Sequence, residues 1–572
     1  MSRLRIALAQ LNCTVGALQA NRERMLEAAR DAKAAGADLV VFPELALCGY
    51  PPEDLVLKPH FVSAMERELH TLAAEFPPGL AGIVGTVAAG GRHPFNAAAV
   101  VDGGTCRGIY AKRQLPNYGV FDERRIFEPG QGPIVVEING HRIGIQICED
   151  SWVHETEDLA TYSACKLSAL LNLSASPFHQ GKFPERLAIL QSTAAAVQAP
   201  LAYCNLVGGQ DELVFDGGSM LIRPEATPPL QARRFEEDLL LFDLDAPAGP
   251  PPDRPARVDG LLLPDRPPGD RITLPSRAAE PALEPLSELY QALCMGLRDY
   301  TDKNGFKQAL IAISGGIDSA LVAAIAVDTL GADRVKGVSL PTKYSSEGTR
   351  SDAVLLADRL GIDMPMLPIQ PLVDEFLTLL EPQWPGREPD VTEENLQSRI
   401  RGTLVMALSN KFGYLVVATG NKSEMATGYA TLYGDMCGGY ALIKDVPKTT
   451  VFDLCRWINQ QAGTDRIPQS LIDRPPSAEL RADQKDSDSL PPYEILDAIL
   501  KAYIEQDKGR DEIVAEGFDP DTVTRVIRLV DGNEYKRRQA PPGVKTTPKA
   551  FGRDRRVPIT NHFRPIPAQE TL

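Results

Sequence analysis

The feature that most restricts the fold is a break in pattern. Two long stretches alternate short apolar strands with amphipathic helices, and a run crowded with proline separates them. Over residues 1–245 the strand-like runs are RIALAQ, ADLVVF, GIVGTV, AAAVVD, RIGIQI, LLNLSA and LAYCNLV, with a helical pattern over 22–35. Such alternation predicts an α/β architecture with helix-covered sheets. Residues 247–285 then hold eleven of the chain's 47 prolines, PPP at 250–252 among them. Proline has no N–H to donate and fits neither a helix interior nor a central strand, so this stretch reads as a linker or an edge-running connection. Leu286, Leu289, Leu293 and Leu297 restart regular structure as one helical stripe. ALIAIS, VKGVSLP, MPMLPI and YLVVATG follow as short buried-strand runs, which predicts a doubly wound parallel sheet. The chain therefore divides into 1–245, a proline-rich linker over 246–283, and 284–572.

Composition narrows the partners. A formal charge of −16 disfavours general nucleic-acid binding, which needs a basic face. No apolar run reaches the length of a membrane span, and LRIALAQLN is not a signal pattern, so a cytoplasmic protein is expected. The nine cysteines show neither CxxC nor zinc spacing, which points to reduced thiols. Residues 536–556 stand out, with eight Lys or Arg against Asp554 alone. They form either a solvated basic tail or a phosphate-contacting segment.

ALIAISGGIDSALVAAIAVDTL carries the sharpest single signal. A strand over 309–313 enters the loop Ser314, Gly315, Gly316, Ile317, Asp318, Ser319, and a helix is expected to start near Ser319. The glycines let backbone N–H groups approach an anion, and the helix N-terminus adds its positive end. Ser314 and Ser319 offer hydroxyls to phosphate oxygens. A carboxylate beside phosphate is unfavourable without a cation between them, which assigns Asp318 to Mg²⁺. The loop lacks the lysine of a GxxxxGK[ST] site. It resembles that of the N-type ATP pyrophosphatases, which implies ATP as co-substrate, cleaved between its α- and β-phosphates.

Farther on, EENLQSRIRG (393–402), VVATGNKSEMATGYATLYGD (416–435), KDVPKT (444–449), PPSAEL and PPYE (within 475–494) and NEYKRRQAPPG (533–543) resemble the NAD⁺ synthetases in order. GNKSE resembles their long, glutamine-using form. The resemblance implies that Thr419 and Lys448 contact ATP and that Glu424 joins Asp318 at Mg²⁺. It places Asn395, Arg399, Glu424, Asp445 and Lys536 near deamido-NAD⁺. Glu424 also follows a strand end at 417–419, the edge at which open α/β sheets bind ligands.

In the first half, three segments place able side chains at or beyond strand ends: Glu44 in FPELALCGY, Lys112 in YAKRQLPNY and Cys148 in IQICEDSW. Amide hydrolysis by cysteine needs a nucleophile, a base and positive charge for the oxyanion. Glu44 suits the base, and Lys112 the oxyanion and a resting thiolate on Cys148. The set resembles the nitrilase-type carbon–nitrogen hydrolases, which implies an α-β-β-α sandwich. That resemblance also makes Tyr118, Ser176 and Lys182 contacts for L-glutamine, with Glu149 orienting the site. Cys13, Cys48, Cys106, Cys165 and Cys204 read as structural. Together the halves imply an enzyme that frees ammonia from glutamine and channels it to AMP-activated deamido-NAD⁺, as a homo-oligomer. An amidotransferase of the same logic with a different acceptor is the alternative. A non-enzymatic scaffold in the first half would need none of the three residues.

Overall fold

The computed structural model describes residues 3–563, except 154–155, 226–227, 246–254, 256, 267–270, 275–276, 278–279 and 483. Arg3–Gln10 is buried beyond its first residue, which requires a layer on each side of it. It lies in a six-stranded sheet ordered Asp238–Asp245, Arg3–Gln10, Leu39–Val41, Ala81–Ala88, Phe95–Asp102, Thr105–Ala111. A seven-stranded sheet runs Leu230–Gln231, Met220–Ile222, Leu201–Asn205, Ala169–Ser174, His141–Ile147, Ile134–Ile138, Asp259–Leu262. Alternation along each strand sorts its side chains. Ile6 and Leu8 meet Ile143, Ile145, Leu171 and Leu173 between the sheets, while Ala7 and Ala9 turn toward the outer helices. Leu18–Ala34 and Pro59–Glu75 cover one outer face, Glu157–Ala164 and Lys182–Val197 the other. The result is an α-β-β-α sandwich.

Where it is described, the proline-rich stretch packs on this sandwich. Asp259–Leu262 pairs in parallel with Ile134–Ile138 at the sheet edge. Arg266 then bonds Asp102 and the Asp38 carbonyl, Arg271 bonds Asp38, and Arg277 bonds Asp238.

The chain divides into two compact units between Leu283 and Glu284. In the second unit four parallel strands are ordered Val335–Val338, Ala309–Ala312, Leu415–Ala418, Tyr440–Ala441. Ile317–Leu330 packs with Pro285–Lys303, Glu347–Leu360 and Lys448–Ala462. Gln370–Leu380 and Val391–Phe412 pack together against Leu310, Val338 and Val416 on the opposite face. This is a doubly wound sheet. MPMLPI, expected as a strand, is not a regular one, but it runs beside the sheet edge: Ser339 donates to the Pro365 carbonyl at 3.0 Å, and the Leu367 and Ile369 amides donate to the Ser339 and Pro341 carbonyls at 2.8 and 3.0 Å. Pro365, which faces that edge, has no N–H to add to the ladder.

The basic segment is engaged internally. Arg537 and Arg538 pair with Glu534, Lys545 with Asp554, Lys549 with Asp507 at 2.5 Å, and Arg555 with Asp531 at 3.1 Å.

Candidate active sites

Strand His141–Ile147 ends at Cys148, whose backbone enters the left-handed region at φ +42°. A non-glycine residue persists there only when its surroundings hold it. Asp150 supplies the hold. Its carboxylate accepts from the amides of Ile147 (2.9 Å), Arg113 (3.0 Å) and Gln114 (2.8 Å), and from the Tyr110 hydroxyl (2.7 Å). One side chain thus joins the turn carrying Cys148 to the segment carrying Lys112. Glu44 follows strand Leu39–Val41. One of its oxygens accepts from Lys112 Nζ and Asn96 Nδ2, both at 2.7 Å, and the other from the Ala175 amide at 2.8 Å. Lys112 also donates to Glu123 at 2.8 Å, and the Tyr50 hydroxyl donates to the same oxygen at 2.9 Å. Glu44, Lys112, Glu123 and Cys148 are all buried.

Burial alone would favour loss of the Lys112 proton, but Glu123 and Glu44 reverse this and hold it well above the ordinary lysine range. Burial lifts Glu123 to about 7, with Lys112 opposing and Glu44 adding. Burial and Glu44 push the Cys148 thiol well up against the pull of Lys112. Burial and the neighbouring carboxylates thus work against the thiolate expected on Cys148, and Lys112 works for it.

The residues assigned to glutamine gather around this centre. The Tyr118 hydroxyl, on a side chain that is 55% exposed, donates to both Glu149 oxygens at 3.1 and 3.0 Å. The Lys182 ammonium stands 3.9 Å over the Trp152 ring and 3.4 Å from Glu185. Burial raises Glu149 and lowers Lys182. Ser176 is buried, with its amide on Asn205 Oδ1 at 3.0 Å.

In the second unit, Ala309–Ala312 runs into the glycine loop. Gly315 has φ +81°, and a Cβ there would lie 2.1 Å from the Thr349 carbonyl oxygen, so only glycine fits. Helix Ile317–Leu330 starts two residues earlier than expected because Gly316 caps it in an extended conformation, and Asp318 falls in its first turn. Ser319 Oγ donates to the Gly316 carbonyl at 3.0 Å, and Ser314 Oγ accepts from the Gly316 amide at 3.1 Å. The loop, Thr419, Glu424 and Lys448 line one cavity of about 300 Å³. Lys448 pairs with Asp318 and lies 3.3 Å from Glu424. Burial lifts Glu424 to about 8, Asp318 adding and Lys448 opposing.

Asn395, Arg399 and Lys536 are not among the residues lining that cavity; all three hold the loop 428–432. Thr431 Oγ1 donates to Asn395 at 2.7 Å, Arg399 Nε to the Leu432 carbonyl at 3.2 Å, and Lys536 Nζ to the Gly428 and Ala430 carbonyls at 2.7 and 2.8 Å. Asp445 stands apart from both groups. Its buried carboxylate accepts the Thr546 and Thr547 amides, both at 2.8 Å, and pairs with Lys422 at 3.1 Å. Against the effect of burial, Lys422, Lys545 and those amides hold it below the ordinary carboxylate range.

Sequence reasoning missed Glu123 and Asp150 in the first site and Arg401 and Arg474 in the second. Arg401 lines the cavity, and burial lowers it to about 10. Arg474 donates to the Gly315 carbonyl at 3.3 Å. Asp150 and Arg401 lie inside motifs quoted above, yet nothing in their spacing announces a role.

Comparison with known families agrees with this division. The carbon–nitrogen hydrolase model matches residues 5–249 and the NAD synthase model residues 289–540. Fold and sites thus define a two-unit class, in which an amidase-type unit precedes a synthetase-type unit. The glutamine-dependent NAD⁺ synthetase of Thermotoga maritima is 47% identical over 582 residues, covering 99% of this chain and 100% of that one. Its namesake from Acinetobacter baylyi is 44% identical over 571 residues, covering 99% and 100%. The solved structure of the Acinetobacter baumannii glutamine-dependent NAD⁺ synthetase in complex with ADP is 41% identical, with a TM-score of 0.75 and coverage of 99% and 100%. The chain belongs to the family of glutamine-dependent NAD⁺ synthetases.

Proposed function

We propose that the chain hydrolyses L-glutamine at Cys148 and uses the ammonia to amidate AMP-activated deamido-NAD⁺, yielding NAD⁺, AMP, diphosphate and L-glutamate. The observation that supports this reading is two side-chain clusters on one chain: buried Glu44, Lys112 and Cys148, and the cavity joining the glycine loop to Asp318, Glu424 and Lys448.

In the first centre Glu44 takes the thiol proton as the sulfur attacks the amide carbon, and Lys112 offsets charge on the tetrahedral oxygen. The proton passes to the departing nitrogen, leaving a glutamyl thioester. Glu44 then takes a proton from the water that hydrolyses it. Tyr118, Glu149, Ser176 and Lys182 bind the amino-acid end of glutamine, Glu149 and Lys182 offering opposite charges to its zwitterion. In the second centre the loop 314–319 receives the ATP phosphates, with Ser314 and Ser319 as donors and Thr419 and Lys448 alongside. The nicotinate carboxylate attacks the α-phosphorus, diphosphate leaves, and ammonia displaces AMP from the acyl-adenylate. Asn395, Arg399 and Lys536 order the loop 428–432 against the dinucleotide. Asp445 acts through the segment it ties down.

The donor set fits Mg²⁺. Asp318 and Glu424 are two carboxylates sharing one cationic partner, Lys448, and face one cavity with the glycine loop. Among the described residues no group of three or more His, Cys, Asp or Glu side chains is arranged for a metal. Phosphate and water oxygens would complete the shell, and the ion would neutralise phosphate charge. The nine free cysteines support a reducing, cytoplasmic setting. Among the described residues no helix is long and apolar enough to cross a membrane. The assembly is a homo-oligomer, an expectation from the family to be read by sedimentation.

Cys148→Ala tests the division of labour. Glutamine-driven NAD⁺ formation should fall to background while ammonium-driven formation persists. Equal loss with both nitrogen donors would sink the reading.

A further inference from the structure

Beneath the glutamine-facing residues lies a charged cluster that the mechanism above leaves unused. Asp216, at the end of strand Leu213–Asp216, serves two guanidinium groups. Arg186 grips it with Nη2 at 2.9 Å and Nη1 at 3.3 Å, and Arg234 with Nη2 at 2.7 Å and Nε at 3.2 Å. Side-chain exposure is 0% for Arg186 and Asp216 and 8% for Arg234. Two guanidinium groups on one carboxylate at this depth cost desolvation energy that apolar side chains of similar volume would avoid. Packing alone does not account for them.

What the cluster reaches is the loop that follows strand Ala169–Ser174. Arg186 Nη2 lies 3.5 Å from the Ser176 carbonyl, while the Ala175 amide donates to Glu44 at 2.8 Å and the Ser176 amide to Asn205 at 3.0 Å. Glu44, Asn205 and Arg186 thus pin the loop from three sides. The Phe178 amide, on the Val214 carbonyl at 2.7 Å, fixes the far end of the loop, so losing Arg186 would loosen its Ser176 end and shift the Ala175 hydrogen relative to the proposed base. Arg186 also sits one helical turn past Lys182, so the two cations share a face of helix Lys182–Val197. Arg186 lies within electrostatic reach of Cys148.

We propose that Arg186, clamped by Asp216 and Arg234, is a positioning residue for glutamine hydrolysis: it holds loop 175–178 in the register that aims Glu44 at the Cys148 proton, and it places positive charge behind the site where negative charge forms. It touches no substrate. The inference rests on Cys148 being the nucleophile.

The test uses the full chain with Arg186→Met and Arg186→Lys, and Cys148→Ala as reference. Glutamine hydrolysis and ammonium-driven NAD⁺ formation are both measured. Misplacing a catalytic group by a fraction of an ångström to about 1 Å predicts a kcat for glutamine about tenfold to a hundredfold lower in Arg186→Met. KM should rise by a smaller factor than kcat falls, because Arg186 makes no substrate contact of its own although the loop it holds carries Ser176. Arg186→Lys should recover part of kcat, and ammonium-driven synthesis should be unchanged in both. An unchanged glutamine kcat in both Arg186 variants, or a loss lying wholly in KM, would overturn the proposal. If Arg186→Met also loses ammonium-driven activity, it has failed to fold, and Arg186→Lys with Asp216→Asn decide by the same criteria. Glutamine hydrolysis surviving in Cys148→Ala would instead remove the nucleophile assignment beneath it.

Discussion

A lysine with no solvent contact keeps its proton only if carboxylates surround it, and Lys112 has Glu44 and Glu123 at 2.7 and 2.8 Å. That arrangement leaves a trace in stability. Glu123 titrates near 7 in the folded protein instead of near 4.5. The folded state therefore keeps a proton that the unfolded chain releases as pH climbs through that window. Stability from this group falls between about pH 4.5 and 7 and levels off above it. Glu123→Gln should show a smaller loss of urea midpoint between pH 5 and pH 8 than the parent protein; an equal or larger loss would contradict the assignment. Glu44, Lys112 and Cys148 were legible because each ends an apolar run inside a recognisable motif. Glu123 and Asp150 were not. Glu123 meets Lys112, eleven residues away across a turn, and Tyr50, 73 residues away, while Asp150 meets Tyr110, 40 residues away. Such pairings exist only once the sheets have formed, and a FDERR string looks like any solvated turn.

Among the elements, the segment 541–549 shows how a basic run becomes interior structure. Ala441 donates to the Pro542 carbonyl at 2.7 Å, Lys444 to Pro541 at 2.9 Å, and Asp445 collects the amides of Thr546 and Thr547. The loop so fastened leads directly into helix Lys448–Ala462 and its first residue, a cavity-lining lysine. Asp445→Ala would leave Lys422 with Glu505 as its remaining carboxylate partner and two buried amides unmet. Removing one partner of a buried ion pair costs about 3–5 kcal/mol. Urea unfolding of this unit should shift by that order, with Asp445→Asn milder; a shift under about 0.5 kcal/mol would show the carboxylate to be incidental. The family resemblance implies a ligand contact for Asp445, and the KDVPKT motif by itself carries no sign of a partner a hundred residues downstream. The glycine loop and its flanking strand and helix were readable to within two residues at the helix start, since Gly315 and the apolar strand constrain geometry locally. MPMLPI falls short of a regular strand because Pro365 removes one donor from an otherwise hydrogen-bonded edge.

For the molecule as a whole, the alternating pattern was enough to separate two α/β bodies, because each strand's burial is written in its own residues. What the proline-rich stretch does was harder to see, as proline excludes structures without naming one. Its described residues serve as the outermost rail of the seven-stranded sheet and as a row of arginine clasps on the first body. Anyone excising the amidase half therefore meets a choice of scissor position. A fragment stopping at residue 245 would bare the backbone of Ile134–Ile138 along an open edge, an invitation to pair with its neighbours. One stopping at residue 283 carries its own guard strand. Light scattering should show the shorter fragment clumping where the longer one stays dispersed, and equal behaviour would mean that the rail is ornamental.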